Sequence, residues 1–259
     1  MSWPDPPRWG VNVAWFDGVD STNAVAARLM EAWPADDAEP LGDTLLVAAR
    51  QSKGRGQADR SWDSPEGGLY ATWLAWVSSA SLAWLPLAVG LCLAEAVEDL
   101  LPSARVGLKW PNDLMLGGKK LGGVLCQSRD RGERAWVIVG FGVNVSVAPK
   151  LPAAETTRPV SLREEGFGGE LPDAAWGIIG GFLTRIREAL QEPERVRNSW
   201  MARSVHTSGE RLVLQKVDER VEGRYVGIGA EGQLELEVSG GVRSFTNGTL
   251  IQPASQRRS

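Results

Sequence analysis

Two stretches of this chain gather residue types able to manage negative charge. The first is Lys53-Gly54-Arg55-Gly56-Gln57. Two glycines around an arginine permit a tight backbone whose amides can approach an anion closely. A guanidinium can add two parallel hydrogen bonds to a carboxylate or phosphate. The second is Lys109-Trp110-Pro111-Asn112-Asp113, followed by Lys119-Lys120-Leu121-Gly122-Gly123. A polar turn closes one strand and paired lysines open another. If that hairpin folds back, Lys120 and Asp113 meet at one mouth, where they could bind a phosphate and a metal ion. The chain has six lysines, and three fall between Lys109 and Lys120, so the stretch stands out. Read alone, each stretch is also readable as a solvated surface turn. Neither is a known phosphate fingerprint: no Gly-x4-Gly-Lys-Ser/Thr surrounds Gly54, and Val145 takes the place of the third glycine after Gly140 and Gly142.

Other chemistries have little to work with. His206 is the single histidine, so a serine triad or a histidine-rich metal site would rest on it alone. Cys92 and Cys126 are the only cysteines; both sit in apolar runs, which reads as two buried thiols in a reducing cytoplasm and not as a disulfide framework.

The elements that must position these residues follow from pattern. Strands are expected at Val13–Phe16, Thr44–Ala49, Leu69–Val77, Val106–Trp110 and Ala135–Val145, with a hairpin from Leu114–Leu116 through Gly117-Gly118 to Lys119–Gln127. Helices are expected at Ala24–Trp33, capped by Asp20 or Ser21, and at Trp84–Leu101, Pro172–Gln191 and Glu194–Met201. Loops are expected at 36–42 and 148–159. From Gly209 the texture changes to short β-prone runs at Leu212–Leu214, Arg224–Ile228, Leu234–Val238 and Val242–Thr246, suggesting a small β-barrel and a domain boundary near residue 206.

At 259 residues, 43% hydrophobic and 23% charged, the chain suits one medium and one small domain. A net charge of −4 gives no broad basic surface for nucleic acid. No basic start precedes an apolar run, so no signal peptide is expected. The charge-free stretch between Glu66 and Glu95 exceeds the about 20 residues of a membrane span. Serines interrupt it and no Lys or Arg flanks it, so it reads as a buried strand, a turn and a buried helix.

Taken together, Ser21-Thr22-Asn23, Gly54-Arg55-Gly56, Trp62-x-Ser64-Pro65, Lys109-Trp110-Pro111-Asn112-Asp113, Lys120-Leu121-Gly122-Gly123 and Gly140-x-Gly142-x-Asn144-Val145 resemble the biotin–protein ligase family in order and spacing. The resemblance implies an α+β fold: a class II synthetase-like catalytic domain, a mixed β-sheet with helices, over residues 1–206, then a small SH3-like β-barrel over 207–259. It implies that biotin and ATP, with Mg²⁺, give biotinyl-5′-AMP, whose biotin passes to a lysine of a biotin carboxyl carrier domain. Lys120, Arg55 and Asp113 would then be catalytic, with Asp113 nearest the metal or the incoming amine. Ser21, Thr22, Asn23, Gln51, Arg55, Gly56, Gln57, Lys120, Gly122 and Gly123 would hold biotin; Arg55, Arg60, Lys120 and Asn144 would hold ATP or the adenylate. Trp62 would brace the arginine loop, which would order over the adenylate. The family usually has a second arginine where Gln57 stands, leaving Arg60 or Lys53 to compensate, and some members place an adenine-stacking tryptophan near Pro159. No helix-turn-helix pattern precedes Val13, so a monofunctional cytoplasmic enzyme is expected, without nucleic-acid or membrane partners and with a homodimer open. The rivals are a lipoate or octanoate ligase or transferase of the same superfold, and a non-catalytic biotin-binding regulator.

Overall fold

The computed structural model of the chain describes residues 5–32, 42–57, 60–149 and 157–251. Most of the loops expected at 36–42 and 148–159 lie outside those residues, as does Trp33.

Seven strands, β1 (Asn12–Phe16), β2 (Thr44–Ala48), β3 (Gly68–Ser78), β4 (Val106–Lys109), β5 (Asp113–Leu116), β6 (Lys119–Asp130) and β7 (Arg134–Asn144), form one sheet in the order β1-β2-β3-β7-β6-β5-β4. β1 and β2 are parallel and every other pairing is antiparallel, so the sheet is mixed. Among the described residues four α-helices accompany it: α1 (Thr22–Ala32), α2 (Leu85–Leu100), α3 (Leu171–Ala189) and α4 (Pro193–Arg203).

Strand alternation explains the layers. Leu45, Val47, Trp73, Ala75, Val137 and Val139 join the core that holds α2 and α3. Their neighbours Leu46, Leu74, Trp136 and Ile138 point the other way and pack with Ala26 of α1. A strand covered on both faces reads as a continuous apolar run, as β2 does. α2 is buried almost all round, so the charge-free stretch is a core strand followed by a core helix. Among the described residues no helix is long and apolar enough to cross a membrane.

Three expectations need correction. α1 starts at Thr22, and neither Asp20 nor Ser21 caps it through its side chain as expected. Asp20 instead accepts the Ser21 N–H at 2.8 Å and holds the Arg28 guanidinium, while the Thr22 N–H donates to Gln51 Oε1 at 2.8 Å. The cap is thus supplied from 29 residues away. β6 runs on to Asp130 because its polar end stays paired with β7. The second sheet holds the third correction.

That sheet comprises β8 (Arg211–Gln215), β9 (Arg220–Ile228), β10 (Leu234–Val238), β11 (Gly241–Phe245) and β12 (Thr249–Ile251), all antiparallel, in the order β11-β10-β9-β8-β12. This is the five-stranded arrangement expected of an SH3-like domain. β9 begins at Arg220, not Arg224, because charged Arg220 and Glu222 occupy its solvent face while Val221 is buried between them. A β-bulge at Glu235 and Leu236 bends the ladder. Trp110 Nε1 donates to Gly232 O at 3.3 Å and Arg197 Nε to Ile228 O at 2.7 Å, tying this sheet to the turn after β4 and to α4.

His206 is buried at that junction. Its Nδ1 lies 3.1 Å from Glu210 Oε1, and its Nε2 has no hydrogen-bond partner among the described residues. Burial lowers its pKa, and Glu210 only partly opposes this. The folded state therefore prefers neutral His206. Its contribution is complete above the unfolded pKa of about 6.5 and is lost as pH falls toward the lower folded value. Between pH 7.5 and 5.5 the Tm of His206→Asn is expected to fall less than that of the wild type. Equal slopes in thermal scans at the two pH values would contradict this assignment.

Candidate active site

The site lies on the α1 face of the seven-stranded sheet, beyond the N-terminus of α1. Its floor is a row of directly opposed residues, Tyr70, Gly142, Gly123 and Asp113, on β3, β7, β6 and β5. Two of the four are glycines, and the Trp62 indole lies against both. The pocket above is partly open to solvent, with about 950 Å³ of space over the floor when the open solvent is counted in.

One wall is the start of α1. Ser21, Thr22 and Asn23 are all buried there and line the pocket. Gln51 fixes this turn by accepting from the Thr22 N–H and hydroxyl at 2.8 and 3.1 Å and donating to Ser64 Oγ at 2.9 Å. Thr72, fully buried on β3, donates to Asn23 Oδ1 at 2.6 Å and lies 2.8 Å from the Thr22 hydroxyl. Asn23 Nδ2 reaches Leu125 O at 3.3 Å. The amide sits directly over Gly140: a Cβ there would lie 2.0 Å from Asn23 Oδ1.

The opposite wall is the arginine loop, which folds as a narrow hairpin. Gln51 bridges Ser64 and Arg55 bridges Ser61, while the Trp62 N–H donates to Gly54 O at 2.9 Å. Gly54 is required here, because a Cβ would lie 2.3 Å from Trp62 O. The Gly56 N–H is spoken for, donating to Arg60 O at 2.7 Å, so that amide is not the unblocked donor expected from sequence. The charge on this wall comes instead from the exposed Arg55 and Arg60, which line the pocket with Gly56 and Gln57; Ala58 and Asp59 lie outside the described residues. Lys53 does not line it, so Arg60 is the cation placed to compensate for Gln57.

The hairpin of β5 and β6 behaves as its sequence predicts. Lys120 Nζ lies 2.6 Å from Asp113 Oδ1. The lysine is held from several directions: its N–H donates to Arg158 O at 2.8 Å, its carbonyl accepts from the Val160 N–H at 2.9 Å, and Nζ lies 5.2 Å from the centre of the Trp62 ring. Asn144 lines the pocket but uses its Nδ2 on Val160 O at 3.0 Å and Lys120 O at 3.4 Å, clipping the 158–160 segment to β6. Trp62 does more than brace the loop. Its indole covers Gly142, and its buried Nε1 has no hydrogen-bond partner among the described residues.

Of the residues expected to be catalytic or to hold biotin or ATP, only Gly122 does not line the pocket. A Cβ on Gly122 would lie 2.5 Å from Gly142 O, so it is glycine for strand packing and not for ligand approach. Thr72, Gly140, Tyr70 and Asp63 were missed. Thr72 carried a signal, a hydroxyl inside an otherwise apolar buried strand, which demands a partner. Among the described residues no group of three or more His, Cys, Asp or Glu is placed to hold a metal ion.

Chemically, this is a pocket with a neutral hydrogen-bonding end at Ser21–Asn23, a glycine floor under Trp62, and a cationic end where Arg55, Arg60 and Lys120 outnumber Asp63 and the ion-paired Asp113. It suits a ligand that is neutral and polar at one end and multiply anionic at the other.

The comparisons agree with that shape. A family model for the biotin/lipoate A/B protein ligase family matches residues 15–144. A biotin–[acetyl-CoA-carboxylase] ligase of Paracoccus denitrificans is 31% identical over 227 residues, covering 84% of this chain and 90% of the relative. One of Mycobacterium tuberculosis is 29% identical over 254 residues, covering 93% and 91%. Among solved structures, a biotin protein ligase from Aquifex aeolicus in complex with biotin and ATP aligns with a TM-score of 0.72 at 28% identity, over 93% of this chain and 99% of that one. The biotin protein ligase of Leishmania major in complex with biotinyl-5-AMP aligns with a TM-score of 0.60 at 25% identity, over 90% and 98%.

Proposed function

Because this chain belongs to the biotin/lipoate A/B protein ligase family, we propose that its pocket joins biotin to ATP as biotinyl-5′-AMP and then delivers biotin to a carrier lysine. The observation that carries this reading is the pairing of a neutral hydrogen-bonding end with a cationic end across one glycine floor.

Both reactants of the first step are anions, a carboxylate and a triphosphate. Fixed cations must cancel their repulsion, and fixed orientation must replace chance encounter. Arg55 and Lys120 supply the charge beside the carboxylate and the α-phosphate. Ser21, Thr22 and Asn23 meet the neutral ureido ring, with Gln51 and Thr72 as positioning residues behind them. Gly123 and Gly142 let the Trp62 indole lie close against the sheet, and the unpartnered Trp62 N–H is a donor in that wall. Asn144 acts through the 158–160 segment that grips Lys120. Mg²⁺ would neutralise triphosphate charge. Asp113 is the carboxylate that would touch it, and a lone carboxylate suits a cation held mainly by phosphate and water. In the second step the carrier amine attacks the acyl carbon and AMP leaves.

The acceptor in this reading is the carboxyl carrier domain of a biotin-dependent carboxylase; the relatives' names give acetyl-CoA carboxylase as the protein they act on. The reaction belongs in the cytoplasm, which suits two free cysteines. We place the division between catalytic and C-terminal domains near residue 206, just after Val205 makes its last bond to β4.

The test is the protein with ATP, Mg²⁺, labelled biotin and a carrier domain, with label expected on a carrier lysine. Label from lipoate or octanoate but none from biotin would overturn the substrate assignment.

Gln57 gives a second expectation. A guanidinium in its place would add a charge-assisted hydrogen bond worth about 1.5–3 kcal/mol to the adenylate phosphate. Gln57→Arg is therefore expected to slow release of biotinyl-5′-AMP by about tenfold or more, measured by filter retention of the labelled adenylate. An unchanged release rate would mean that Arg55 and Arg60 already hold it.

A further inference from the structure

The two halves of the proposed reaction ask opposite things of the pocket's charge. Forming the adenylate brings two anions together, which Arg55, Arg60 and Lys120 favour. Delivering biotin brings in a lysine side chain, which arrives as an ammonium cation because its ordinary pKa is about 10.4. The same three cations repel it. A carboxylate that is not already neutralised is needed where the amine enters.

Among the described residues two carboxylates line the pocket, Asp63 and Asp113. Asp113 is held by Lys120 at 2.6 Å. Asp63 is exposed and has no ion pair or side-chain hydrogen bond among the described residues. Its neighbour Glu66 is already paired with Arg50 at 2.8 Å. The backbone around Asp63 is pinned on both sides. The Trp62 N–H donates to Gly54 O at 2.9 Å, the Gln51 N–H to Ser64 O at 3.2 Å, and the Tyr70 hydroxyl to Pro65 O at 2.8 Å. Trp62 turns inward against Gly142 and Ser64 inward onto Gln51, and the exposed Asp63 stands between them at the rim.

This rim is at the Tyr70 end of the floor. Burial first, and then the Asp63 charge, raise the pKa of the Tyr70 phenol. Tyr70 and Asp113 are separated by three strand pairings, about 14 Å. That exceeds the about 10 Å over which a charge is felt in 0.1 M salt. The Lys120–Asp113 pair is therefore too distant to neutralise Asp63.

We propose that Asp63 receives the ammonium group of the incoming carrier lysine at the rim of the pocket. This rests on the reading that the pocket adenylates biotin and passes it to a lysine. Asp63 acts before the chemical steps, by raising the local concentration of the amine. The lysine then gives one proton to solvent and its nitrogen lone pair bonds to the acyl carbon. The bond from that carbon to the phosphate oxygen breaks, its electron pair leaves with AMP, and the new amide nitrogen sheds a second proton to solvent.

Asp63→Asn is expected to move the two half-reactions in different directions. With biotinyl-5′-AMP already bound, transfer to an isolated carboxyl carrier domain should lose about fivefold in kcat/KM at low ionic strength, the loss of one exposed charge contact. The loss should nearly vanish in about 1 M salt, where the screening length is about 3 Å. Adenylate formation should be no slower than in the wild type, because an anion has left a pocket that gathers two anions. Asp63→Glu should restore transfer. Unchanged transfer at low salt would overturn the proposal and place the lysine's reception elsewhere. Slowing of both half-reactions that persists in high salt, with a lowered Tm, would overturn it in favour of a structural aspartate. A wild-type protein that forms no biotinyl-5′-AMP would instead overturn the underlying reading of the pocket, and the proposal with it.

Discussion

Replacing Lys120 with methionine is expected to slow biotinyl-5′-AMP formation by on the order of 10³-fold while leaving the protein folded. A unit charge about 4 Å from another, at an effective dielectric near 20, is worth about 4 kcal/mol, which is about three decades of rate. Lys120 is where that charge is concentrated, because backbone bonds to Arg158 and Val160 and the Trp62 ring leave its ammonium little freedom. Its loss has a second consequence. Asp113 Oδ1 now pairs with Lys120 at 2.6 Å, and in the variant it would face the phosphates as an uncompensated anion. The double variant Lys120→Met/Asp113→Asn should therefore recover part of the rate lost by Lys120→Met alone. Single-turnover formation of the adenylate measures both. Formation by Lys120→Met within about fivefold of wild type would remove the lysine from the reaction.

Gly140→Ala is expected to weaken biotin binding by roughly 100-fold and to lower the Tm. The added methyl would lie 2.0 Å from Asn23 Oδ1, and neither side can yield cheaply. Gly140 is paired on both edges, with Thr72 of β3 and Leu125 of β6. Asn23 is buried at the start of α1 and accepts the Thr72 hydroxyl at 2.6 Å. Turning the amide away breaks that bond and the one from Asn23 Nδ2 to Leu125 O, at about 0.5–1.5 kcal/mol each, and overpacking adds about 1–3 kcal/mol. The Ser21–Asn23 turn would shift with the amide, so the biotin KM should rise while ATP use by the remaining active protein changes less. Adding Asn23→Ala relieves the clash: the double variant should regain Tm but not biotin affinity. Wild-type KM and Tm in Gly140→Ala would show that Asn23 moves freely and does not shape the pocket.

These two cases show what could be read in the chain and what could not. The Lys120–Asp113 pair was readable because a hairpin of two short strands around Gly117-Gly118 is local: pattern alone gives its register. The amphipathic stripe of α3 was readable for the same reason. Gly140, by contrast, matters only because β7 lies between β3 and β6 with α1 above it. No local pattern reports a strand order built from pairings this far apart. The helix cap from Gln51 was hidden in the same way, since local rules point to Asp20 or Ser21. The resemblance supplied the roles of Ser21–Asn23 and Arg55. It also suggested one common purpose for two glycines that packing separates, with Gly123 in the floor and Gly122 pressed against a neighbouring strand.

The central claim is that this pocket activates biotin by joining its carboxylate to AMP. The most direct measurement omits the carrier altogether: the protein with ATP, Mg²⁺ and, in separate reactions, biotin, lipoate or octanoate, with the acyl-adenylate identified by mass spectrometry. The account predicts biotinyl-5′-AMP, formed faster and retained longer than any other acyl-AMP. Lipoyl- or octanoyl-AMP without biotinyl-5′-AMP, or no adenylate from any of the three acids, would contradict it.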